Sequence, residues 1–202
     1  MLKNLSKIER ANVLTHMPGA IFGLIGLPIL QVLNSTWSTL LFSLTFIFML
    51  SASSIYHWHT DANKKKRWRV IDHISIYCLI AGTYTAFITH YMPNSKGILI
   101  LQVLWSCVLA GSILKIFFTG RFRIVSTIIY LIMGWMAVFA INDFLEFIPS
   151  PILIMIGIGG LFYTLGTIFY LWKKWVYHHA IWHVFVLLGA LSHWVGVFLS
   201  YS

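Results

Sequence analysis

Apolar runs near residues 15–34, 36–58, 70–91, 98–119, 123–142, 150–172 and 178–200 constrain this chain most. Each approaches the roughly 20 residues that an α-helix needs to cross the hydrocarbon core of a bilayer. A chain that is 59% hydrophobic and 9% charged cannot solvate such runs as a soluble globule of 202 residues. The expectation is an all-α integral membrane protein: one seven-transmembrane helix bundle over residues 1–202, with short connections and no soluble domain or linker. Pro18 and Pro28 interrupt the first run, which neighbouring helices in a bundle tolerate. That run follows a basic N-terminus, as a signal peptide does, but it lacks an A-x-A-like cleavage site and leads into a second span. It is therefore read as a mature helix.

A net charge of +9 raises the question of nucleic acid, yet the fourteen Lys and Arg sit in short clusters between the runs, where charge sets topology. Lys3, Lys7 and Arg10 precede the first span. Lys64, Lys65, Lys66, Arg67 and Arg69 join spans two and three, Lys115, Arg121 and Arg123 join four and five, and Lys173 and Lys174 join six and seven. Thirteen of the fourteen thus fall on one side; the other has Lys96 with Asp143 and Glu146. The positive-inside rule puts the N-terminus in the cytoplasm and the C-terminus outside, in a multi-pass protein of the cell (inner) membrane. Trp37, Trp58, Trp68, Trp172 and Trp175 near span ends suit interfacial belts, and no nucleic-acid stacking platform is implied. Cys78 and Cys107 lie inside apolar runs without metal-ligand spacing and read as small core residues. Gly19-x-x-x-Gly23 and Gly157, Gly159 and Gly160 read as close helix-packing positions.

Orientation converts sequence position into depth. Span two ends with Ser53-x-x-x-His57, span three opens with Asp72, and span seven opens with His179-x-x-x-His183, so all three motifs fall at the cytoplasmic leaflet. Residues four apart share a helix face, so His179 and His183 can point two imidazoles at one ion. With His57 they supply the three protein ligands of a catalytic zinc site, which keeps its fourth position open. Ser53, one turn from His57, is placed to orient a ligand or a bound water. Of the five acidic residues, Glu9 and Asp61 are assigned to the cytoplasmic flanks and Asp143 and Glu146 to the outer loop. Asp72 is then the only intramembrane carboxylate at the site's depth, and the candidate base; pairing with Arg69 or Lys66 is its purely structural role. His16 and His73 have the right depth for supporting groups or substitute ligands. His193 lies ten residues beyond His183, about 15 Å along the axis, too far to share the ion. Its expected role is a hydrogen bond across helices. His59, His90 and His178 read as edge residues.

Ser53-x-x-x-His57, Asp72 and His179-x-x-x-His183 on seven spans resemble the progestin and adipoQ receptor (PAQR) family. Asn12-x-x-Thr15-His16-x-x-Gly19, Ile71-Asp72-His73-Ile74-Ser75-Ile76-Tyr77 through Ala81-Gly82-Thr83-Tyr84-Thr85, and His179-Ala180-Ile181-Trp182-His183 resemble its bacterial hemolysin III branch. The resemblance covers nearly the whole chain. It implies a zinc ion on His57, His179 and His183, with Ser53 and Asp72 around the bound water, and a ceramidase-like amide hydrolysis. The chain departs from the animal receptors in having only about a dozen residues before its first span. Signalling through a long cytoplasmic domain is therefore not carried over.

The functional expectation is zinc-dependent hydrolysis of a lipid amide or ester, with ceramide or another N-acyl lipid as a fitting substrate and membrane lipid as partner. Asp72 would accept a proton and return it to the leaving group. Two other readings stand beside it. One is a sensor of lipid state in which zinc is structural and Asp72 or His16 closes the coordination. The other is a hemolysin-type pore, which would want polar groups at several depths where the outer half offers little beyond His193. The sequence leaves the oligomeric state open.

Overall fold

The computed structural model describes residues 5–119, 121 and 123–201, so Lys3 of the basic count lies outside the described residues. Among those described, seven membrane-crossing segments appear and no strand. The helices are α1 (Lys7–Leu33), α2 (Trp37–Trp58), α3 (Ala62–Tyr91), α4 (Ser95–Phe118), α5 (Arg123–Gly134), α6 (Ile141–Phe147), α7 (Ser150–Leu171) and α8 (His178–Tyr201).

Helix starts follow side-chain caps rather than the edges of the apolar runs. Ser6 Oγ accepts from the Glu9 amide, Thr36 from Thr39, Asp61 from Lys64 and Asn94 from Gly97, satisfying donors that the first turn leaves free. As a result α1 begins eight residues before the expected first span at 15, and α3 eight before the expected third at 70. The cations at 64–69 therefore lie on the first two turns of α3 instead of in a loop.

The fifth crossing departs from a single helix. It consists of α5, a short 3-10 segment at Met136–Ala140 and α6, and it continues past the expected end at 142. Asp143 and Glu146, expected in an outer loop, lie on α6, and Asp143 pairs with Lys96. Broken helices are tolerated at membrane depth only where the freed backbone groups find partners. Tyr84 of α3 supplies them: its hydroxyl donates to Gly134 O (2.7 Å) and accepts from the Ala137 amide (2.9 Å).

Sequential helices α1 to α4 pack against one another, α7 packs on α8, and α8 closes onto α1. Close approach of α1 to α8 and to α2 depends on glycine. A Cβ on Gly19 would come within 2.4 Å of Leu187 Cδ1, and one on Gly23 within 2.9 Å of Ile47 and Phe46. Gly159 likewise faces His193, whereas Gly157 and Gly160 meet nothing within 4 Å and border a cavity instead, contrary to the packing role expected of all three. Phe42, Phe46, Leu50 and Tyr77 fill the interior, while Leu24, Ile25, Val32, Phe117 and Phe139 face outward, as lipid-facing positions require. Buried hydroxyls such as Ser43, Ser54 and Thr85 donate to carbonyls one turn back in their own helices.

α5 packs more lightly, against α3, α4 and α7. Between it and α3, α7 and α8 lies a mainly apolar cavity of about 330 Å³.

Candidate metal centre

The last turns of α2 and the first turns of α8 meet against the N-terminal half of α1. There His57, His179 and His183 bring one ring nitrogen each within 4.8 Å of one another, a group able to hold a metal ion. His57 Nε2 and His179 Nε2 are 3.2 Å apart, and the His179 and His183 ring centroids are separated by 4.5 Å, as positions one helical turn apart on one face dictate.

Helix α1 decides which nitrogens face inward. Glu9 Oε2 lies 2.6 Å from His57 Nδ1, and a carboxylate in that contact accepts, so Nδ1 carries the proton and Nε2 presents its lone pair. The Asn12 amide nitrogen lies 3.3 Å from the same Nδ1. His183 Nδ1 donates to Asn12 O (3.2 Å) and lies 3.2 Å from Thr15 Oγ1, whose own proton goes to Asn12 O. Its Nε2 is therefore the free acceptor, and that atom is buried with no hydrogen-bond partner. A buried acceptor is rarely left without a partner. Three imidazoles with two tautomers fixed, converging around an unsatisfied Nε2, fit a metal ion of the kind that takes nitrogen ligands. No fourth His, Cys, Asp or Glu joins the group among the described residues.

The other residues singled out from the sequence separate by role. Asp72 is buried (5% exposed) and lines the cavity, with the Ser53 hydroxyl as hydrogen-bonding neighbour, Arg69 and Lys115 as charged neighbours and His57 within electrostatic reach. His16 is not part of the metal group: its ring stacks on His183 at 3.9 Å and its Nε2 donates to His183 O (3.1 Å). His73 also stands apart from it, bordering the cavity. His193 donates across to Ile156 O on α7 (3.2 Å), as its depth suggested.

Two residues escaped the sequence reading. A first span starting at residue 15 leaves Glu9 in the flank; with α1 beginning at Lys7, Glu9 reaches His57, and its second oxygen accepts from Lys65 Nζ (2.5 Å). The signal was present, since Ser6-x-x-Glu9 has the spacing of a capping box and marks a helix start there. Lys115, counted among connecting charges, is buried inside α4, donates to Ser126 Oγ (2.5 Å) and borders the cavity with Asp72. Nothing in its local sequence distinguishes it from a topogenic lysine.

Comparison with known proteins covers most of the chain. The family model described as "Haemolysin-III related" matches residues 6–194. The chain is 37% identical over 193 residues to a "Hemolysin-3 homolog" of Bacillus subtilis (strain 168), covering 92% of this chain and 91% of the relative. It is 36% identical over 191 residues to "Hemolysin-3" of Bacillus cereus, covering 91% and 87%. A human "Monocyte to macrophage differentiation factor" matches at 22% identity over 202 residues, covering 93% and 82%. The chain is a member of the haemolysin-III related family, within the wider PAQR group.

Proposed function

We propose that this protein is an intramembrane metal-dependent hydrolase that cleaves an amide or ester of a membrane lipid, with zinc on His57, His179 and His183. The observation that carries the reading is the placement of Asp72: the only carboxylate among the described residues lining the 330 Å³ apolar cavity, and within electrostatic reach of His57 of the histidine group. A cavity of this size accepts an acyl chain while excluding most water.

A zinc ion in the histidine group would supply Lewis acidity, polarising a carbonyl and lowering the pKa of a water toward about 7. The remaining work belongs to the chain. Asp72 accepts a proton from the attacking water and returns it to the leaving nitrogen or oxygen. Ser53 donates to the Asp72 carboxylate and fixes its orientation. Lys115 balances the carboxylate's charge from across the cavity. The apolar lining, including Ile76, Leu79 and Phe87, suits an acyl chain, as an N-acyl lipid such as ceramide would bring. We place the N-terminus in the cytoplasm, which sets the metal group at the cytoplasmic leaflet; the support is the thirteen positive charges at that end.

Three ligand atoms without a fourth favour turnover over a purely structural metal in a lipid sensor. Asp72→Asn tests the mechanism: metal content measured by mass spectrometry stays at the wild-type level while hydrolysis of fluorescent N-acyl and ester lipids falls by about 10²- to 10⁴-fold. Undiminished hydrolysis by the metal-loaded variant would remove Asp72 from the chemistry.

A further inference from the structure

A second recess, of about 750 Å³, opens between the ends of α2, α3 and α4, apart from the cavity beside Asp72. Its α3 wall is Ala62, Lys65, Lys66, Arg69 and Val70, which at spacings of three and four residues form one face of that helix. Arg121 adds another cation from the connection after α4. The opposite wall is apolar and turned outward: Ile116 is 60% and Phe117 73% exposed on the last turn of α4.

Cations outnumber the carboxylates near this recess, and no carboxylate lines it. The sequence has five acidic residues. Glu9 is occupied by His57 and Lys65, Asp61 caps the Lys64 amide, Asp72 is buried beside Ser53, and Asp143 pairs with Lys96. Glu146 lies on α6, at the opposite membrane face from these cations. Lys65 is thus balanced, but Lys66, Arg69 and Arg121 make no ion pair among the described residues, and no carboxylate lines the recess. These cations on α3 also lie near its N-terminal end, whose partial positive charge opposes them and favours an anion.

We propose that this recess binds the phosphate headgroup of an anionic phospholipid, with Lys66, Arg69 and Arg121 around the phosphate and the acyl chains laid along Ile116 and Phe117. A guanidinium and an ammonium side by side suit phosphate oxygens, and a basic recess between helix ends at the membrane surface is where headgroups are captured. The outward apolar wall selects a lipid over free phosphate, because only a lipid covers it. Neither the metal group nor hydrolysis is required for this binding.

The test uses the full chain purified in a neutral detergent and titrated with phosphatidylglycerol, phosphatidylcholine of the same acyl chains, or inorganic phosphate. Native mass spectrometry and thermal unfolding provide the readouts. Phosphatidylglycerol is expected to give a one-to-one adduct and a raised Tm, with neither of the other two doing so. The double variant Lys66→Gln, Arg121→Gln changes two exposed side chains and should lower phosphatidylglycerol affinity roughly 30-fold, about fivefold for each cation. Lys173→Gln, Lys174→Gln removes equal charge from another connection at the same end and should leave it unchanged. Equal binding of both lipids, or equal losses in the two double variants, would overturn the site and leave only diffuse surface charge. Inorganic phosphate matching phosphatidylglycerol would overturn the assignment to lipid.

Discussion

Glu9 divides its two oxygens between His57 and Lys65, and through them α1 sets the tautomer of a residue 48 positions away. A carboxylate behind a metal-binding imidazole orients the ring and raises its basicity. Glu9→Ala should weaken zinc affinity by about 10- to 100-fold in chelator competition, with Glu9→Gln, which retains an acceptor, losing less. Equal zinc affinity in wild type and Glu9→Ala would show that the contact does not orient the ligand. The same chemistry fixes the sign of a pH dependence. Ligation needs three neutral imidazoles, so protons compete with the metal increasingly as pH falls. Zinc bound at a fixed, subsaturating concentration should therefore decline as the pH is lowered toward the acid limit of folding, and zinc occupancy that never falls with acidification would argue against a histidine site.

At the scale of elements, the glycine positions separate packing from space. Gly19 lets α1 approach α2 and α8, and these three helices carry Glu9, His57 and both later histidines. Gly19→Leu should push against Leu187 and Leu50 and cost about 1–3 kcal/mol, read as a lower Tm together with weakened metal binding. Gly157→Ala, with nothing within 4 Å of the added Cβ, should leave Tm within the small range of surface changes, about 0.5 kcal/mol. Helix existence was legible from apolar run length; helix beginnings were not, because hydropathy marks where a helix enters lipid and caps mark where its hydrogen bonding starts. The break at Gly134–Met136 was also hidden, since its stabilising partner, Tyr84, comes from another helix.

For the whole molecule, the charge asymmetry predicts an orientation that labelling can check. In a background lacking Cys78 and Cys107, Lys174→Cys should react with a membrane-impermeant maleimide only after permeabilisation, and Ser95→Cys in intact cells; the reverse pattern would invert the bundle. Sequence alone determined seven apolar crossings and the clustering of His57, His179, His183 and Asp72 near one membrane face, because hydrophobic length and charge bias act locally along a chain and fix depth. Depth says nothing about rotation around the bundle. Only tertiary structure decided that three histidines converge while His16 stacks behind them and His73 turns to the cavity, that Glu9 reaches His57, and that Lys115 is buried. Those outcomes depend on which helix faces meet, and that is set by close packing between segments up to 171 residues apart rather than by any property of one segment.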